Sequence, residues 1–250
     1  MEILGIDIGG TGMKGALINS DTGALVSDRF RIPTPTSRKP KDMVKVFKDL
    51  VNHFEYKGPV GCGFPTIVKK GICKSTSNLH KSWMNLNAES LFSKETNLPV
   101  TVVNDADAAG YAIMNYGIGK NESGLVIIIT IGTGIGSGAF FNGQLIPNFE
   151  LGQIPYKNYA KIERWTAASV KKQKNLSYSQ WGKRFNTFLG LVETIASPDL
   201  IILGGGTSKD FEKFEKKIKI KTPVKPAFLG NHAGLIGAAS AVLTQKNLKN

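Results

Sequence analysis

Apolar and β-branched residues come in short runs at the start of the chain, EILGIDIG, MKGALIN and ALVSDRFRI, with the turn residues Asp21 to Gly23 between the second and the third. Runs of this length bounded by turn signals predict strands joined in a meander. Behind Pro40, the residues Met43, Val46, Phe47, Leu50, Val51 and Phe54 recur at three- and four-residue spacing, which gathers them on one face of a helix over 41–54. A short strand, PVGCGFP, follows. Residues 67–87 are polar and irregular, 88–96 return to a helical pattern, and LPVTVVN reads as a buried strand. A helix is expected to open at Asp105.

The same order starts again at Gly124: LVIIITIG is a buried strand, GIGSGAFF a second, and QLIP a third after the turn Asn142-Gly143. Helices are predicted over 165–174 and 177–196, then the strand DLIILGGG, a helix over 208–217 and a last helix over 233–246. Two βββ-plus-helix units in succession predict an α/β protein of two lobes on one plan with a central cleft. The expected division is 1–105 plus 234–250 for the N-terminal lobe and 106–233 for the C-terminal lobe, with no low-complexity linker between them.

Composition narrows the function. The longest apolar stretch, 125–131, is far shorter than the roughly 20 residues that span a bilayer, so no membrane partner is expected. The opening MEILGIDIGG lacks the basic start and long apolar run of a secretion signal, and a cytoplasmic protein is expected. Cys62 and Cys73, with His53, His80 and His232, show no zinc-site spacing and read as reduced thiols. The formal charge of +13, from Lys+Arg 32 against Asp+Glu 19, favours a polyanionic partner: nucleic acid, an anionic surface or a phosphate chain. The lysines are scattered, with no arginine-rich, aromatic-interleaved segment, so nucleic acid is not the expected partner.

Three glycine-rich loops each follow an apolar strand. In the first, Asp7-Ile8-Gly9-Gly10-Thr11-Gly12-Met13-Lys14, the glycines let successive amides point at an anion, Thr11 and Lys14 add a hydroxyl and a cation, and Asp7 can hold Mg²⁺ through water. The second, Gly132-Thr133-Gly134-Ile135-Gly136, leads into a strand and therefore fails the context of a dinucleotide-binding fingerprint. The third, Gly204-Gly205-Gly206-Thr207-Ser208, is predicted to lead into a helix whose N-terminus suits phosphate. A single such loop is as often a plain hairpin. The two that open similar units predict loops facing each other around a chain of phosphates.

Val103-Asn104-Asp105-Ala106-Asp107 lies where a strand ends and a helix starts. There Asp105 would sit near first-turn amides, which favours the ionised form that accepts a hydroxyl proton. The plainer reading is an ordinary N-cap aspartate. Asp107, inside the first turn, is expected to point elsewhere.

DIGGTGMKG, GFP, NLHKSW, VVNDADAAGYA, TIGTGIGSGAFFNG, PNFELG and PDLIILGGG follow one another in the order seen in bacterial sugar kinases. On these motifs, which cover nearly the whole chain, the protein resembles the ROK family and within it the polyphosphate-using glucokinases. The resemblance implies the actin-like, hexokinase-like (ribonuclease H-like) fold, glucose as acceptor, Mg²⁺, and inorganic polyphosphate with or without ATP as donor. It makes Asp105 the catalytic base and Asn104 a sugar ligand. Gly63, Asn78, Glu150 and Glu163 match further parts of the sugar pocket. Gly9, Gly10, Thr11 and Lys14, with Gly132, Thr133 and Gly134, match the phosphate loops, and Gly204, Gly205 and Gly206 the loop near adenosine or distal phosphates. A homodimer is the expected assembly.

The resemblance breaks at one place. Many members read ELGH where this chain reads ELGQ, so Gln153 replaces a histidine that contacts sugar, and zinc where zinc is present. Gln153 can donate and accept hydrogen bonds but cannot reproduce an imidazole's charge. No zinc is expected, since the cysteine-rich motif is missing too. The alternatives are an ATP-dependent hexokinase of the same family acting on mannose, fructose or an N-acetylhexosamine, and a non-catalytic sugar-binding member. Repressors of the family carry a helix-turn-helix ahead of the first loop, which here begins at Asp7; an enzyme is therefore expected.

Overall fold

Strand register, more than helix packing, places the residues singled out above, and the computed structural model describes it for residues 1–76, 79–227 and 230–247. The chain forms two units, Met1–Tyr116 with His232–Asn250, and Gly117–Asn231. In the first, β1 (Glu2–Ile8), β2 (Gly12–Asn19) and β3 (Phe30–Pro33) make the antiparallel meander. On the other side of β1, β4 (Val60–Phe64) and β7 (Val100–Asn104) run parallel to it, giving the order β3-β2-β1-β4-β7. The crossovers contain α1 (Pro40–His53) and α2 (Ala88–Thr96), and a small hairpin, β5 (Val68–Lys69) with β6 (Ile72–Cys73), lies in the stretch read as irregular. Pro40 starts α1 at the position where a missing N–H costs nothing.

The second unit repeats the plan. β8 (Leu125–Ile131), β9 (Ile135–Phe141) and β10 (Gln144–Ile146) are antiparallel, and β11 (Leu200–Gly204) and β12 (Val224–Pro226) continue in parallel beyond β8, in the order β10-β9-β8-β11-β12. Helix α6 (Tyr178–Ala196) is closed at its start by a capping box between Ser177 and Gln180. It buries Trp181, Phe185, Phe188, Leu189 and Val192 with Ile127, Ile129, Ile201 and Leu203. Each such side chain stabilises by about 1.5–3 kcal/mol.

Helices α3 (Asp105–Tyr116) and α7 (Ala233–Asn247) belong to the first unit and pack on each other and on β4. Their approach requires glycine at 237, where a Cβ would run into the carbonyl of Ala108. The sequence-based boundary at 105 falls at the first residue of α3, whereas the unit runs on to Tyr116. Cys62 and Cys73 are free, buried thiols, and burial pushes both up. Among the described residues no helix is long and apolar enough to cross a membrane.

Several predicted elements come out differently. The third run is a strand only over Phe30–Pro33, because Ser27 Oγ accepts the Leu17 amide at 2.9 Å and replaces a backbone partner. The helix expected over 165–174 is broken into α4 (Glu163–Thr166) and α5 (Ala168–Gln173) by the extended backbone of Ala167 (φ −62, ψ 160). Residues 208–217 form no α-helix but 3₁₀ turns, Gly206–Lys213 and Glu215–Lys217. Their threefold period sets Phe211 and Phe214 on one side, and Phe214 packs edge-on against Trp181 and Phe185.

Candidate active site

The first glycine loop is the turn between β1 and β2, closed by the Gly9 amide on the Gly12 carbonyl at 3.0 Å. Three successive carbonyls of this loop are held from outside. Thr34 Oγ1 donates to Gly9 at 2.6 Å, the Arg38 guanidinium to Gly10 at 3.3 Å, and the Arg31 guanidinium to Thr11 at 2.6 Å. Because N–H and C=O lie on opposite edges of a planar peptide, fixing these carbonyls turns the amides of Gly10 and Thr11 the other way. Successive amides so aligned form an anion-binding nest. Open space surrounds Gly10, where a Cβ would meet nothing. Sequence reading missed Thr34, Arg31 and Arg38, since their contacts span 20 or more residues and follow no local pattern.

Register then aligns the other first-unit candidates. Lys14 pairs with Asp7 across β2 and β1, Asp7 with Gly63 across β1 and β4, and Gly63 with Val103 across β4 and β7. Lys14 Nζ lies 3.3 Å from Asp7 Oδ2. A Cβ at Gly63 would lie 3.3 Å from the Ala108 Cβ and 3.9 Å from the Asp105 Cα, so glycine lets the first turn of α3 approach the sheet. Asn78 lies outside the described residues.

Asn104, not Asp105, caps α3. Its Oδ1 accepts from the Ala106 and Asp107 amides at 2.8 and 3.2 Å, and its Nδ2 donates to the Thr66 carbonyl at 3.0 Å. Asn104 is buried and Asp105 exposed at the tip of β7, with its Oδ1 2.9 Å from the Ala106 amide. Asp107 is buried in the first turn.

In the second unit, the β8–β9 turn is closed by the Gly132 amide on the Gly134 carbonyl at 3.1 Å, as the first loop is closed on Gly12. Glu163 Oε2 accepts the Ile135 amide at 3.1 Å, and a Cβ at Gly134 would lie 2.5 Å from that oxygen. Gln153 Nε2 donates to Glu163 Oε1 at 3.4 Å. Ser137 on β9 pins the turn that carries Glu150, accepting from the Leu151 amide at 2.8 Å and donating to the Phe149 carbonyl. Glu150, Gln153 and Glu163 thus gather where β9 begins. Burial first, and the Glu163 carboxylate second, raise Glu150 above its usual range, while Lys161 opposes them.

Gly205, with φ of +79, rests on the end of β8, and a Cβ there would lie 2.7 Å from the Ile131 carbonyl oxygen. The third loop therefore adjoins the second. It leads into 3₁₀ turns, so the helix N-terminus expected to receive phosphate is not formed there. Among the described residues no three His, Cys, Asp or Glu side chains cluster as a metal site. Asp7 offers a hard carboxylate beside the first loop, which fits Mg²⁺, an ion commonly held by one or two carboxylates together with substrate phosphates.

Residues 3–148 match the family model described as ROK family. A polyphosphate glucokinase of Mycobacterium tuberculosis (strain CDC 1551 / Oshkosh) is 42% identical over 238 residues, covering 95% of this chain and 89% of the relative. The chain belongs to the ROK family. The solved structure of an inorganic polyphosphate/ATP-glucomannokinase from Arthrobacter sp. strain KM matches with a TM-score of 0.90 at 37% identity, covering 98% of this chain and 99% of that one. A ROK glucokinase from Streptomyces griseus, solved with glucose and AMPPNP, matches with a TM-score of 0.81 at 21% identity, covering 96% and 98%. The α/β architecture is thus the actin-like, hexokinase-like fold of ROK sugar kinases that the motifs implied.

Proposed function

We propose that the protein is a polyphosphate-dependent glucokinase, which moves the terminal phosphoryl group of inorganic polyphosphate, or of ATP, to the 6-hydroxyl of glucose. The observation that carries this reading is the division of labour at the tip of β7: Asn104 caps the helix, and Asp105 stands exposed beside it. The names of the relatives at 42% and 37% identity support the same donor and acceptor.

Phosphoryl transfer asks little covalent chemistry of a protein; it needs an aligned acceptor and positive charge around the phosphate oxygens. Asp105 accepts the proton of the 6-hydroxyl as its oxygen bonds to phosphorus, and the bond to the next phosphate breaks, leaving the donor one phosphate shorter. Asn104, Gly63, Asn78, Glu150, Gln153 and Glu163 hold the sugar. The amides of Gly9, Gly10 and Thr11 with Lys14, and those of Gly132, Thr133 and Gly134, hold donor phosphates, with Gly204, Gly205 and Gly206 beside the second set. Mg²⁺ at Asp7 supplies charge neutralisation to the phosphate oxygens when bound. We place the enzyme in the cytoplasm as a homodimer.

The test is the formation of sugar 6-phosphate by the purified protein with polyphosphate and with ATP, across glucose, mannose, fructose and N-acetylglucosamine. We expect the highest kcat/KM for glucose with polyphosphate. A clear preference for ATP with an N-acetylhexosamine contradicts the reading.

A further inference from the structure

The second unit carries a stretch dense in positive charge. From Lys157 to Arg184 there are eight lysines and arginines and one acid, Glu163. Aromatic rings hold several of these cations in place. Trp165 has Lys157 Nζ 5.7 Å and the Arg184 guanidinium 5.5 Å from its ring centre, and Arg184 also donates to the Trp165 carbonyl at 3.0 Å. Tyr178 has Lys171 Nζ at 3.9 Å and Lys213 Nζ at 5.2 Å. Each such contact at an exposed site is worth about 0.5–1 kcal/mol.

The array begins at the glycine loops. Ser169, in α5, donates its amide to the Gly132 carbonyl at 3.3 Å and its hydroxyl to the Thr133 carbonyl at 2.6 Å. Lys171 lies on the same short helix and Lys174 just beyond it. Lys213 ends the 3₁₀ segment that starts at Gly206, in the third loop. Both loops therefore lead to Tyr178 and its two ammonium groups. Asp210 offsets part of this charge, bonding Lys213 at 2.6 Å and accepting from the Tyr178 hydroxyl at 2.6 Å, but Lys171, Lys172 and Lys174 have no acid beside them in sequence.

We infer that this surface, from α5 to Tyr178 and Trp165, binds the distal phosphates of a long polyphosphate chain whose reacting end lies at the glycine loops. The inference rests on the donor proposed above. Ammonium groups are point charges without a fixed fork, which suits a repeating polyanion more than a single oriented phosphate. A nucleoside triphosphate is too short to use the array, so its contribution grows with chain length.

The test compares Lys171→Gln/Lys174→Gln with a control that removes the same charge from exposed positions on α1, Lys45→Gln/Lys48→Gln. KM is measured for ATP, tripolyphosphate and long-chain polyphosphate at several salt concentrations, with Tm as the check on folding. We expect the first pair to raise KM for the long chain about tenfold, to leave ATP and tripolyphosphate within about twofold, and to lower the salt slope by roughly one to two. The control pair should leave all three donors nearly unchanged. An unmoved long-chain KM, an equal rise for every donor, or an equal effect of the control overturns the array while polyphosphate turnover by the wild type still stands. No polyphosphate turnover by the wild type removes both. Single-stranded DNA that binds as tightly as polyphosphate, and is lost in the same variants, shows a general polyanion surface and also overturns the inference.

Discussion

Arg31 reaches from β3 to the carbonyl of Thr11 at 2.6 Å, and through that bond a residue outside the glycine loop sets the direction of the loop's peptides. A hydrogen bond from a charged donor is worth about 1.5–3 kcal/mol, and solvent at this exposed guanidinium brings the expectation to the lower end. Arg31→Ala is therefore expected to raise KM for the phosphate donor about tenfold. Arg31→Lys, which keeps the charge but loses the planar fork, should recover only part of that. Steady-state kinetics in which the sugar KM rises as much as the donor KM would show that the arginine does not act through the loop.

The acidic pair in the second unit predicts a pH effect. Glu150 titrates above the usual 4.5, chiefly through burial and then through Glu163. The folded protein thus holds this proton more tightly than the unfolded chain does, and the stability it lends is present at low pH and lost as pH rises through the raised value. Sugar binding by the ionised carboxylate runs the opposite way and improves across the same window. Glu163→Gln removes the neighbouring charge, so the rise in sugar affinity should move to lower pH. Sugar KM against pH, with ¹³C carboxyl shifts of Glu150, measures this; an unmoved midpoint dissociates the two residues.

Asp7 can be perturbed without replacing it. A Cβ on Gly234 would lie 2.9 Å from the Asp7 carboxyl carbon. Gly234→Ala is expected to displace that carboxylate and raise the Mg²⁺ concentration needed for half-maximal activity. Its Tm should hold or increase, since alanine favours a helix more than glycine does. An unchanged Mg²⁺ titration would remove Asp7 from the metal.

Most strands were legible because β1, β2, β7, β8, β9 and β11 are short apolar runs ended by glycine or asparagine, and because the order of runs recurs after Gly124. The 3₁₀ turns over 206–217 were not, since Phe211 and Phe214 suit a helical period as well as a threefold one, and tertiary packing on Trp181 decides between them. β12 is three residues with a central lysine, too short for any period. At the site, the strand tip that carries Asn104 and Asp105 could be read locally, but the cap could not be assigned. Asn104 and Asp105 both suit an N-cap and both accept from the Ala106 amide, and the further bond from the Asp107 amide gives the role to Asn104. The supports of the loops, Thr34, Arg31, Arg38 and Ser169, depend on contacts between residues distant in sequence.

The most direct measurement is the turnover of Asp105→Asn with glucose and polyphosphate. The substitution keeps the size of the side chain at the tip of β7 and removes its capacity to take a proton. A general base contributes roughly 10²- to 10⁴-fold, so kcat should fall by that range with the glucose KM nearly unchanged. A variant that keeps most of its turnover contradicts the assignment of proton acceptance to this carboxylate.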